Sequence, residues 1–288
     1  MIFALVVTGV FAQESGGMTS KKGEAILPEA DDWAISINAV PVLNYLGNML
    51  NGNVANASPT FGYPGTPLAI TGKLFIDEKT AYRAMVRLGF GSTTTNNYVV
   101  DDAALVADPL STATVNDSWK ASYNNIVLGA GYEMRKGKTR LQGFYGGMFM
   151  FGIGGGKSTY TYGNGFTTTN TSPTATTAWS PIVSGSAGSR TTENKAGSTF
   201  MLGLRGFIGA EYFIFPKMAV GAEFGWGVGM NSTGEGEVTT ESWNAAAPTP
   251  AVKTTTTKTG KKSTFGIDTD VNGTQMIPTA SLNLTLHF

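Results

Sequence analysis

Hydrophobic residues take every second position through much of this chain. In 281–288, Leu282, Leu284, Leu286 and Phe288 alternate with Ser281, Asn283, Thr285 and His287. The same two-sided pattern marks seven segments upstream, at about 33–45, 68–76, 82–90, 126–134, 141–153, 202–214 and 220–228. Successive side chains of a strand point to opposite faces, so this period predicts strands and not helices. The runs span about eight to thirteen residues, around the nine to eleven that cross a bilayer at a tilt, whereas an ordinary strand averages about five or six.

The connections predict how those strands are joined. Tight turns fall at Asp77–Thr80, Arg135–Thr139 and Pro216–Lys217. Between them lie long stretches at 51–67, 92–123, 156–199 and 230–274, rich in Thr, Ser, Asn and Gly, as in TTTTKTGKKST at 254–264. Compact soluble domains rarely hold several structureless connections of that size. Alternating short turns and long loops are the habit of bacterial transmembrane barrels. The expected fold is therefore all-β: an eight-stranded antiparallel up-and-down transmembrane β-barrel over 32–288. Its turns would be periplasmic, its four long loops extracellular, and both chain ends periplasmic. The loop composition predicts mobile surfaces without preformed pockets. Outward aromatics sort by strand end, with Trp33, Tyr82, Tyr132, Tyr212 and Phe288 near the short turns and Tyr45, Phe90, Phe151 and Trp226 near the long loops. Two such belts suit amphipathic rings at the headgroup level.

On these features the chain resembles the small outer-membrane β-barrel proteins of diderm bacteria, with the eight-stranded OmpA/OmpX-like architecture. The resemblance covers about residues 32–288. Its most specific element is the terminal signature Leu282-x-Leu284-x-Leu286-x-Phe288. It implies outer-membrane lipid as the surroundings and the barrel-assembly machinery as a partner during biogenesis. It is architectural and implies no activity, and the sequence itself identifies no extracellular or periplasmic protein partner.

Composition adds limits. Charged residues make up 14% of the chain, against roughly 25% in an average soluble domain, and the formal net charge is zero. That balance points away from nucleic acid. Without cysteine there is no disulfide, thiolate metal site or lipid-modified Cys. Residues 1–12, MIFALVVTGVFA, read as the apolar core of a signal peptide, with Val10-Phe11-Ala12 before a mature start at Gln13. No Lys or Arg precedes that run, so the start lies upstream of Met1 or the signal is atypical; a buried first strand is the alternative. Segment 13–31 has no clear period and is expected to be a flexible periplasmic tail.

The faces opposite the apolar rows carry Lys73, Arg83 and Arg87, then Glu133, Arg205, Glu211 and Glu223. An eight-stranded interior is just wide enough to be filled by side chains, and an unpaired charge there is expensive. The expectation is a salt-bridged plug, with Arg83 beside Glu133, and Arg205 beside Glu211 or Glu223. A hydrated narrow channel is the alternative, and glycines such as Gly203, Gly209, Gly221 and Gly225 either leave space for it or permit tight curvature. Met148, Met150, Phe144 and Phe207 on the same faces leave a passage for small solutes open as well. The leading functional expectation is a non-enzymatic outer-membrane protein displaying its loops. The others are a narrow porin-like transport channel and an accessory subunit of an envelope complex.

Three motifs carry little. Gly152–Ser158 resembles a phosphate loop, but the position that spacing requires to be Gly is Phe151. Asp268-x-Asp270-x-Asn272-Gly273 opens like a calcium loop yet has Thr279 where the bidentate Glu belongs, so an Asx-rich turn is the plainer reading. His287 is the only histidine, which leaves a catalytic Ser–His or Asp–His arrangement no other base, and a Glu211–Glu223 carboxylate pair is more simply read as ion-pair partners. No cofactor or metal set is expected.

Overall fold

A computed structural model describes residues 18–53, 56, 70–179, 188–246, 249–268 and 280–288. Within them the chain is all-β apart from two short helices. The strands are β1 (Trp33–Asn38), β2 (Ile70–Asp77), β3 (Thr80–Val100), β4 (Thr114–Lys136), β5 (Leu141–Thr161), β6 (Ser189–Lys195), β7 (Thr199–Phe215), β8 (Met218–Thr233), β9 (Gly236–Asn244), β10 (Ala251–Thr259), β11 (Lys262–Asp268) and β12 (Ala280–His287). The helices are α1 (Val40–Leu50) and α2 (Asp102–Ala107). The signal-peptide reading of 1–12 lies outside the described residues, as does the calcium-like motif beyond Asp268.

All strands belong to one antiparallel sheet of twelve. From β1 the pairing runs through β2, β3, β4, β5, β7 and β8 to β12, and β12 pairs back onto β1 with Ala34 opposite His287 and Asn38 opposite Asn283. The sheet is thus ring-like. β8 has two successive partners along one edge, β12 at Met218–Phe224 and β11 at Gly227–Thr233. From the far end of β5, β6, β9 and β10 continue the sheet outward as a side wing. The wing lies at the distal end of the ring, remote from the short β2–β3, β4–β5 and β7–β8 turns at the proximal end.

The architecture differs from expectation in three places. First, the segment read as a strand over 33–45 stops at Asn38. Pro41 sits in the first turn of α1, where its fixed φ suits a helix and its missing N–H is no loss. The Asn38 Oδ1 accepts from the Val40 N–H at 2.9 Å, and Leu43 and Tyr45 end up on the helix. Second, the connections at 92–123 and 230–274 are largely strand where described, and 156–199 begins in β5 and includes β6, while 51–67 lies mostly outside the described residues. β3 and β4 pair without interruption from Thr80–Met134 out to Val100–Thr114, and Gly152–Ser158 lies in regular ladder with β4. Thr-rich stretches are β-branched and suit extended backbone, but they contain no apolar row to announce it. Thr239 and Thr256 face each other across β9–β10 with hydroxyls 3.2 Å apart.

Third, the described part of the segment expected to be a flexible tail, residues 18–31, is tied down. Thr19 bridges Ala25, and the Ile26 N–H donates to the Met18 carbonyl at 2.9 Å. Ile26 is buried against Phe213 and Ala219 inside the proximal mouth of the ring. The Lys217 ammonium bonds the Asp32 carboxylate, and Lys217 N–H donates to the Ile26 carbonyl at 3.2 Å. At the seam, Trp33 and Phe288 exchange two backbone hydrogen bonds, of 3.1 and 2.8 Å, and their rings stack 4.3 Å apart.

Candidate functional site

The alternation sends two different populations to the two faces of the ring. Outside stand Leu128, Phe149, Leu204, Ile208, Phe224 and Trp226, all exposed. Inside lie the charges. Lys73 comes from β2, Arg83 from β3, Glu133 and Arg135 from β4, Arg205 and Glu211 from β7, and Glu223 from β8, all of them buried. The seven form one continuous string of ion pairs. Arg205 Nη1 meets Glu223 Oε1 at 2.5 Å, and Glu223 Oε2 meets Arg83 Nη1 at 2.7 Å. Arg83 Nη1 then lies 3.4 Å from Glu133 Oε2, which also takes Lys73 Nζ at 3.2 Å. Glu133 Oε1 stands 3.2 Å from Arg135 Nη1. Glu211 completes the string, with Lys73 Nζ at 2.7 Å and Arg135 Nη2 at 2.6 Å. Its Oε1 is also 3.2 Å from the Thr285 hydroxyl.

This connectivity resolves a conflict in the strand register. Lys73 and Arg83 are directly opposite each other on β2 and β3, an arrangement that repels. Glu133 reaches both, and Glu211 and Glu223 take one each from the far wall. Four cations face three carboxylates, and ring faces take up part of the excess: Arg83 lies 4.2 Å from the Phe207 centroid, Lys73 4.9 Å from Phe144 and Arg135 5.4 Å from Phe75. Every carboxylate is spanned by at least two cations, so Glu211 and Glu223 sit as ion-pair centres and not as a bare carboxylate pair.

Arg135 was expected in a turn and is instead wholly buried in the string. The signal was available: Glu133 faces inward, and two residues further on the same face must follow. Arg87 lies on the same face of β3, half-buried and distal to Arg83. His287 packs between Phe75 and Phe213 with ring centroids 5.4 and 5.2 Å away, and neither nitrogen has a hydrogen-bond partner among the described residues.

Above and below the charges the interior is apolar. Met85, Val127, Phe144, Met148, Met150 and Phe207 form the distal layer, and Ala34, Phe75 and Ala81 the proximal one, closed off by Ile26. Two inward glycines make room for side chains crossing from the neighbouring strand. A Cβ at 225 would overlap the Arg205 guanidinium, and one at 209 would overlap the Phe144 ring. Gly225→Val is therefore expected to lose about 1–3 kcal/mol through overpacking, measured by denaturant unfolding. Gly147→Ala, where the nearest atom is an ordinary 3.7 Å away, should be close to neutral. Between the charge string and the methionines remains a cavity of about 60 Å³, lined by Ser36, Asn38, Arg83, Met148, Arg205 and Glu223 among others. At about 30 Å³ per water in the liquid, that is room for a water or two and no more.

No family model, curated protein or solved structure matches the chain.

Proposed function

We propose that the protein is an integral outer-membrane β-barrel of a diderm bacterium, anchored by eight staves and presenting its distal sheet outside the cell. The staves would be β1, β2, β3, β4, β5, β7, β8 and the β11–β12 pair sharing the edge of β8. The observation that carries the reading is the inverted distribution of side chains. Full charges are sealed inside the ring, while large apolar residues on every stave stand exposed outside, Ile208 at 55%, Trp226 at 50% and Leu282 at 41% among them. Water-soluble proteins rarely expose contiguous apolar surface beyond a few hundred Å², but lipid requires it. Ladder closure near the short turns supports the same view, because there β1, β2, β3, β4, β5, β7, β8 and β12 each have a partner on both sides and leave no unpaired edge in hydrocarbon. On this reading Trp33, Tyr82, Tyr132, Tyr212 and Phe288 mark the proximal headgroup level, and the Leu282–Phe288 strand is the signature met by the assembly machinery.

The role is anchorage and display, not catalysis or transport. The packed methionines and phenylalanines, the string of ion pairs and the seated Ile26 support a closed interior over a pore. In planar bilayers the purified protein should give no steady unitary conductance. A steady conductance that changes on Arg83→Ala or Glu133→Ala would retire the closed interior and favour the channel. A protein that stays monodisperse in detergent-free buffer, and migrates identically on SDS gels before and after heating, would remove the barrel itself.

A further inference from the structure

The wing of the sheet encloses a second site that the anchoring role does not use. The distal end of β5, the segment 162–179 and β6 surround a cavity of about 260 Å³. Its walls include Tyr160, Tyr162, Phe166 and Trp179, together with Arg190 and Thr191. The aromatics are mutually packed: Trp179 lies 5.9 Å from Tyr160, 6.3 Å from Tyr162 and 6.5 Å from Trp119, and Trp119 stacks on Tyr160 at 6.2 Å with 5° between planes.

The segment 162–179 is pinned, so the walls are preformed. The buried Asp117 carboxylate accepts from the Gly163 and Thr176 N–H groups, each at 2.8 Å. Asn164 donates to the Val100 and Thr174 carbonyls at 2.8 and 3.0 Å and accepts from the Asp102 N–H at 3.0 Å. Tyr162 Oη donates to the Thr191 carbonyl at 2.6 Å, and burial pushes that phenol up to about 12, so it stays a neutral donor. Two polar atoms are left over. Arg190 bonds Glu241 through Nε at 2.7 Å and lies 4.3 and 4.7 Å from the Tyr162 and Phe166 centroids, but its buried Nη1 has no hydrogen-bond partner among the described residues. Thr191 is 5% exposed, and its hydroxyl also has no partner among the described residues. Buried polar groups in folded proteins are almost always satisfied, so two orphans on one cavity wall point to a ligand.

We infer that this cavity binds one pyranose ring of a neutral saccharide. A ring with an apolar C–H face suits the Tyr160 and Trp179 walls, and hydroxyls on its edge would satisfy Arg190 Nη1 and Thr191 Oγ1. A purely hydrocarbon ligand would leave both orphans unpaired. Among the described residues, an anion beside Tyr162 would feel the Asp117 and Glu241 carboxylates against the Arg190 guanidinium, which Asp102 also faces. A quaternary ammonium would be repelled by the Arg190 guanidinium, which lies on the Tyr162 and Phe166 rings of the same cavity. The volume falls just under the roughly 300–1,000 Å³ of drug-sized sites, which suits a single sugar ring with the remainder of the glycan outside. The site stands on the folding of the distal sheet and does not depend on where a membrane lies.

The test uses the full chain in detergent micelles. Tryptophan fluorescence and calorimetric titration are run with methyl α-glucopyranoside, methyl β-galactopyranoside, methyl α-mannopyranoside and N-acetylglucosamine, with glucuronate and tetramethylammonium as charged comparators. At least one neutral sugar should bind saturably. That affinity should fall about tenfold or more in Thr191→Val and Arg190→Lys and vanish in Trp179→Ala, with near-ultraviolet circular dichroism of Thr191→Val unchanged. Saturation by none of the four sugars overturns the inference. So does stronger binding of glucuronate or tetramethylammonium, or a Thr191→Val protein that is folded and binds as the wild type does.

Discussion

Glu133→Ala is expected to be the most destabilising single substitution in the protein. Its carboxylate is fully buried and touches Lys73, Arg83 and Arg135 at 3.2, 3.4 and 3.2 Å. Removing it leaves the directly opposed Lys73 and Arg83 without their shared counter-charge. Breaking a buried ion network from one side typically costs about 3–5 kcal/mol, because the stranded charges stay desolvated. The loss is read from urea or guanidinium unfolding in lipid vesicles, followed by tryptophan fluorescence. A second change distinguishes this cause from a generic cavity. In Glu133→Ala combined with Lys73→Met, Arg135 keeps Glu211, and Arg83 and Arg205 keep Glu223. The double variant should therefore recover part of the lost stability, with a coupling of about 0.5–3 kcal/mol. A single-variant loss below about 1 kcal/mol would mean that the interior is wet, as a channel would have it.

Ile208→Arg and Ile214→Arg separate a lipid surface from an aqueous one. Both residues point outward from β7, with exposures of 55% and 40%. Were the outer face in water, both changes would fall within about 0.5 kcal/mol of neutral. Against hydrocarbon the penalty depends on depth. Arginine at the bilayer midplane costs about 2–4 kcal/mol, falling to about 0–1 near the interface. Ile208 lies midway along the apolar part of β7, whereas Ile214 lies beside the Phe215–Met218 turn. The expected result is a large loss for Ile208→Arg and a small one for Ile214→Arg when refolding into phosphatidylcholine vesicles is titrated with urea. Equal, negligible losses would refute the lipid-facing assignment.

What could be read from the chain follows from where its pattern has contrast. β7 and β8 alternate large apolar residues with glycine or charge, and the inward and outward rows could be assigned residue by residue. That contrast gave Lys73, Arg83, Glu133, Arg205, Glu211 and Glu223 their common face. It fades in two ways. In Thr93–Asn97 and Thr254–Thr257 both faces are polar, so period two leaves no trace and extended backbone passes for loop. At Val40–Leu50 both faces are largely apolar, so a helix begun by a proline reads as a continued strand. Arg135 illustrates a third failure: a run of Arg, Lys and Gly looks like a turn even though its first residue still obeys the parity of Glu133. The orphans at Arg190 and Thr191 are a matter of tertiary placement, and no local pattern marks them.

The seam between β1 and β12 bears on how the chain reaches its native state. Ala34 pairs with His287, whereas most other neighbours along the ring are hairpin partners close in sequence. Hairpins close short loops and form early, but joining the first and final staves carries the largest loop-closure entropy in the molecule and places its contacts among the slowest to form. Ile26 is later still, because the pocket between Phe213 and Ala219 that receives it is defined only once β7 and β8 are aligned. Closure of the seam would then be the rate-limiting event of folding, and seating of the leading segment its final step.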